Sequence, residues 1–178
     1  MMLKILFVVV MVCAIAVAGA LWLGARLPVR HRIGVGASFR LAPERLFDTI
    51  ADIPAAVSWR RGMKSSELLD AAADGTARFR QVDGNGAITY RIEASERPKR
   101  FVTRIDDLAL PFGGTWTISI AADGDVTKVT IVEDGEIRSS LFRFFARYVF
   151  GYYRSAESYL AALGNKFGEQ ARIERMDL

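Results

Sequence analysis

The stretch SLFRFFARYVFGYYRSAESYLAALGNKF, residues 140–167, decides the fold, because the apolar period changes there. Leu141, Phe144, Phe145, Tyr148, Tyr152, Ser155, Tyr159 and Ala162 recur at three- and four-residue steps. That spacing predicts one face of a single long helix. Arg143, Arg147 and Arg154 fall mostly on another face. Upstream of it a period of two prevails.

Working outward, Trp116, Ile118 and Ile120 alternate with Thr115, Thr117 and Ser119. After the Asp123-Gly124 turn, Val129 and Ile131 lead with the same parity to Glu133. Phe101, Thr103 and Ile105 share a face, as do Ile88, Tyr90 and Ile92, and as do Ala77, Phe79 and Gln81. Asp83-Gly84-Asn85-Gly86 supplies a hairpin turn, and Glu67 to Ala71 is the first strand of the series. Farther upstream, Ile33, Val35, Ala37 and Phe39 define another strand. Pro43 then opens a helix with Leu46, Phe47 and Ile50 as its stripe. The order is strand, helix, six strands, long helix. It predicts an α+β domain over residues 33–168, in which a curved antiparallel sheet of about seven strands wraps around the long C-terminal helix. Residues 169–178 read as a C-terminal tail.

The beginning of the chain is different. From Ile5 to Ala25 there are 21 residues without a charge, enough for a transmembrane helix of about 20 residues. Residues 1–27 therefore read as an uncleaved single-pass anchor, with Trp22 suited to a membrane interface. A cleavable signal sequence is the alternative, since Ala18-Gly19-Ala20 resembles a cleavage site. Residues 28–32 form a basic connector. The flanking arginines favour a cytoplasmic domain by the positive-inside rule, in the plasma or inner membrane if the source is bacterial.

Counts of reactive residues exclude several chemistries. The 178-residue chain has one cysteine, Cys13, inside the apolar run, and one histidine, His31, beside it. An intramolecular disulfide and Cys/His zinc sites are impossible in a single chain, as are nucleophile triads built on Ser or Cys with His in the domain proper. No cofactor motif is present. The formal charge of +4 is uneven. Arg26, Arg30, Arg32 and Arg40 occur with no acid among them, whereas Leu41 onward carries 19 basic and 20 acidic residues. The basic balance belongs to the membrane-proximal stretch, where it suits anionic headgroups. A nucleic-acid partner would require a basic face on the domain itself.

This element order resembles the START-related helix-grip superfamily, and within it the polyketide cyclase/dehydrase-like (SRPBCC) group. The residues that carry the resemblance are Ala42-Pro43-Glu44-Arg45-Leu46-Phe47, Trp59, Phe112-Gly113-Gly114-Thr115-Trp116-Thr117, Val129 to Gly135, and Leu141-Phe142-Arg143-Phe144 with Tyr159-Leu160. The resemblance implies a cavity between sheet and helix. Such pockets are mainly apolar with a few placed polar groups.

Strand parity and helix spacing then select Trp59, Phe79, Tyr90, Phe101, Trp116, Ile118, Ile131, Tyr148 and Tyr152 as candidate ligand contacts. Leu108, Leu110 and Phe112 lie on a loop that reads as a lid. Glu133 is the best candidate for a catalytic carboxylate, with Arg143 within reach as its ion-pair partner. His31 reads as a spectator in the connector. Gly113-Gly114 reads as a turn or bulge. The expectation is a membrane-anchored binding protein for a hydrophobic small molecule or lipid. The alternatives are a metal-free cyclase or dehydratase, and a membrane-side adaptor with a closed cavity.

Overall fold

The computed structural model describes residues Met1–Leu178. Its first helix, α1 (Met2–Arg26), is long and apolar enough to cross a membrane. Only Gly24 in that helix is buried by the rest of the chain. Strand β1 (Arg30–Phe39) begins four residues after α1, so the basic connector is shorter than the sequence indicated. Helix α2 (Pro43–Ala51) and a 3-10 turn (Pro54–Ser58) follow, each opened by a proline in its first turn. Proline has no N–H to lose at that position.

Six strands then run consecutively: β2 (Ser65–Leu69), β3 (Arg78–Asp83), β4 (Gly86–Glu96), β5 (Arg100–Ile105), β6 (Phe112–Asp123) and β7 (Val126–Ile137). The β2 strand starts two residues before the expected Glu67. Every neighbouring pair is antiparallel, in the order β2-β3-β4-β5-β6-β7-β1-β8. The eighth strand, β8 (Ile173–Met176), corrects the reading of residues 169–178 as a tail. It pairs with β1 from Gly34↔Met176 to Ala37↔Ile173. Four residues are too few to show a period, so only the pairing reveals this strand.

The predicted long helix is divided. Helix α3 (Ser140–Phe145) runs into a π-helical turn (Ala146–Phe150), and α4 (Arg154–Lys166) resumes after a break. At the break Gly151 has φ +77°, a conformation that side-chain-bearing residues resist. The apolar step from Tyr148 to Tyr152 passes over this glycine unchanged, so periodicity alone does not detect it.

Only α4 lies in the grip of the sheet. Leu160 and Leu163 are fully buried there, in one core cluster with Phe39, Val35 and Ile131. Burial of each such side chain contributes about 1.5–3 kcal/mol. Helix α3 turns away and packs against the end of α1. A side chain at Gly24 would collide with the Ser140 carbonyl oxygen and crowd Phe144. Arg143 is buried at this junction. It donates to the Gly24 carbonyl (2.8 Å) and to the carbonyls of Ile137 and Arg138 (2.9 Å each). Gly24 belongs to the last turn of α1, and its carbonyl, which also accepts from the Leu27 N–H at 3.2 Å, takes Arg143 as a second donor. The expected Arg143–Glu133 pair is therefore absent, because the guanidinium is consumed as a cap.

Candidate functional site

The concave face of the sheet has two tiers. Phe101, Ile118, Ile131 and Val129 form a base closed by α2 and α4, and Phe47 of α2 meets Phe101 edge-on at 6.2 Å. Toward the end where α1 leaves, Tyr90, Ile92, Thr103, Trp116, Glu133 and Tyr152 are only half-buried. The division in the C-terminal helix explains the difference. Helix α4 covers the base, whereas α3 leaves the sheet to pack on α1.

His31 enters the upper tier from β1. Its Nε2 lies 3.1 Å from Glu133 Oε1, and Trp116 Nε1 donates to Glu133 Oε2 at 2.8 Å. The side chains of His31 and Glu133 retain 12% and 18% of their exposure. The imidazole stacks on Tyr152, with ring centres 4.4 Å apart and planes inclined by 22°.

Room for the ring comes from the facing strand. His31 is paired with Gly135, and a Cβ there would stand within 2.4 Å of the imidazole nitrogen. The sequence did carry a signal for His31. It is two residues before Ile33, on the parity of Val35, Ala37 and Phe39, but its place beside the arginines disguised it.

Tyr159, from α4, bridges the tiers. Trp59 and Trp116 meet its ring edge-on at 5.3 Å and 5.7 Å, and the Arg60 guanidinium lies 5.1 Å from its centre. Burial pushes the Tyr159 phenol up to about 12, against a smaller opposing effect of Arg60. Burial likewise raises Tyr90, whose ring stacks on Phe79 at 4.9 Å. Both phenols keep their protons at neutral pH and can donate them in hydrogen bonds.

A further polar chain escaped the sequence reading. Arg60 Nη1 donates to Gln81 Oε1 (2.7 Å), Gln81 Nε2 to Ser66 Oγ (3.1 Å), and Ser66 Oγ to the Ile53 carbonyl (2.6 Å). Gln81 shares the parity of Phe79, which was the available clue. The buried indole N–H of Trp59 has no partner.

The sequence-selected residues thus divide. Tyr90, Trp116 and Tyr152 come together in the half-buried tier with Glu133. Phe79, Phe101, Ile118 and Ile131 are buried in packed layers, while Trp59 sits where the 3-10 turn meets α4. Tyr148 lies elsewhere, on the π turn against Phe144, and is 57% exposed. In the 106–111 loop Leu108 is almost fully exposed. Arg138 fastens the loop's end by donating to the Leu110 carbonyl at 2.7 Å. Gly113 and Gly114 lie within β6, opposite Glu136 and Gly135, not in a turn. A separate outer cleft of about 550 Å³ lies between α2 and the end of α4, lined by Arg45, Asp48, Trp59 and Lys166 among others. It does not enter the grip.

The upper tier is an apolar, aromatic surface ending in a fixed carboxylate–imidazole pair. Such an arrangement can hold an apolar body against Trp116 and Tyr152 and meet a polar head at Glu133 and His31. It can also hold a proton between a carboxylate and an imidazole.

Solved structures share the architecture. A START superfamily protein from Mycobacterium smegmatis aligns with a TM-score of 0.60 and 16% identity, over 76% of this chain and 96% of that one. A protein from Thermus thermophilus aligns at 0.60 and 18%, over 75% and 94%. The Zhui aromatase/cyclase from a Streptomyces species aligns at 0.57 and 14%, over 76% and 93%. At these identities the likeness is one of fold. No curated protein matches the sequence. The family model described as polyketide cyclase / dehydrase and lipid transport matches residues 30–163, from the first residue of β1 to the last turn of α4, and the chain belongs to that family.

Proposed function

We propose that this protein is a membrane-anchored binding domain that takes a hydrophobic small molecule or lipid into the upper tier of its grip. The observation that carries this reading is the half-buried aromatic surface of Tyr90, Trp116 and Tyr152, ending in the Glu133–His31 pair. It lies at the end of the sheet where α1 leaves. An amphiphile drawn from the bilayer would place its chain or ring against the aromatics and its polar end at Glu133. The arginines after α1 favour a domain on the cytoplasmic side.

The test is native mass spectrometry of the full chain purified from its host, followed by organic extraction. The expected result is a retained apolar ligand in stoichiometric amount, lost in Trp116→Ala while the protein remains folded. A protein that arrives empty and takes up nothing from its host's lipid extract refutes the reading.

A second reading has its own support. The Glu133–His31 pair, with the Tyr90 phenol nearby and Tyr152 stacked on the imidazole, has the parts needed for proton transfer to and from a bound carbonyl compound. An enzyme of this kind predicts that Glu133→Gln retains ligand but loses at least tenfold in turnover. Equal turnover would remove Glu133 from any mechanism.

A further inference from the structure

We infer that helix α3 and the π turn form a second membrane contact, a shoe that lies in the headgroup layer of an anionic bilayer beside the exit of α1. The inference rests on the anchor reading above and goes beyond it. Phe142, Phe145, Tyr148, Val149 and Phe150 are all exposed, within nine consecutive residues. Elsewhere in the sheet domain exposed large apolar side chains occur singly, as at Val57, Leu68 and Leu108.

Two observations on the chain itself say what covers this face. The first is depth. Ser140, the first residue of α3, is packed against Gly24, two residues before the end of α1. Two residues of helix rise about 3 Å. Arg26 lies over the Trp22 ring at 3.7 Å, an aromatic–cation pair suited to the headgroup level. Wherever α1 emerges from a bilayer, α3 is held at the same height by Arg143 on the Gly24 carbonyl. The second is charge. From Arg138 to Ala156 there are four arginines and no acid; Arg138 pairs with Glu136 outside that stretch, and Arg143 is buried on the carbonyls. The other two, Arg147 within the exposed apolar stretch and Arg154 four residues after it, are exposed. Exposed aromatics accompanied by arginines, at the height where α1 ends, match an interfacial segment on anionic lipid.

The consequence is orientation. One helix alone leaves a domain free to swing, whereas a second contact sets the upper tier toward the lipid. The test uses the full chain in phosphatidylcholine–phosphatidylglycerol vesicles, with Cys13→Ser as background. Nitroxide labels are placed at Val149→Cys, Phe150→Cys and, as reference, Asp125→Cys in the hairpin at the far end of β7. The expected ratio of oxygen to water-soluble nickel-chelate collisions is several-fold higher at 149 and 150 than at 125. Labels at 149 and 150 as accessible to nickel as that at 125 would overturn the inference and leave the anchor standing. So would labels shielded from both reagents, which would mean a protein partner. Failure of the chain to float with vesicles after an alkaline wash would instead remove the anchor, and the inference with it. Arg147→Glu with Arg154→Glu should shift both labels toward water without preventing flotation. An unchanged ratio in that variant would refute the role of charge.

Discussion

The base and the upper tier of the concave face are built on the same strands and differ in what covers them. Ile118 and Ile131 in the base are buried under α4, and two residues farther along the same strands Trp116 and Glu133 remain half-exposed. A shared strand parity therefore makes residues face inward together without making them equally buried. The base holds the fold, and the upper tier carries the proposed ligand surface. The difference traces to one backbone turn at Gly151, which lets α4 stay in the grip while α3 departs for α1.

Mutations can break this comparison, and the largest effect belongs to the base. Leu160→Ala should lower unfolding free energy by about 2–5 kcal/mol, and Ile92→Ala in the upper tier by distinctly less. Denaturant titration of the full chain in detergent measures both, and equal losses would erase the distinction. The next effect is alkaline. Because the Tyr159 phenol is raised to about 12 in the fold, against about 10 in the unfolded chain, the native state holds its proton longer. Stability from this group is intact well below pH 10 and falls by about 2–3 kcal/mol as pH rises through 12. Tyr159→Phe should flatten that part of the pH profile, and an unchanged slope would contradict the burial argument.

Within the upper tier the effects are smaller. Glu133→Leu strands the Trp116 N–H and His31 and should cost about 1–3 kcal/mol, while Glu133→Gln keeps an acceptor and should cost less. Matching losses in the two variants would mean that size, not hydrogen bonding, matters there. The least effect is expected at the outer cleft, on α2. The Arg97 hydrogen bonds hold the Asp48 carboxyl below the usual carboxylate range, but both side chains are exposed. Asp48→Asn should leave the unfolding midpoint unchanged within error.

Most of the sheet was legible because period two is a local property. Phe79, Tyr90, Phe101, Trp116 and Ile131 all announced their side of a strand by their neighbours. The geometry of the candidate site was legible only in part. Glu133 was found by extending the parity of Val129 and Ile131, but its partner was assigned to Arg143. The reason is that sequence proximity and charge favoured the arginine, while the actual partner lies 102 residues away across the β1–β7 pairing. Gly135 entered the sequence reading only as the end of the Val129–Gly135 stretch, and the room it leaves for an imidazole exists only once β1 is beside β7.

By itself, the sequence determined the apolar first helix, the alternating strands, the amphipathic C-terminal stretch and, from their order, the helix-grip fold. Each is a pattern that neighbouring residues express whatever the rest of the chain does. Tertiary structure alone decided that β8 closes the sheet edge, that the long helix divides at Gly151, that Arg143 caps α1, and that His31 meets Glu133. These depend on which distant backbone groups and side chains are left without partners when the elements pack. No local period records that.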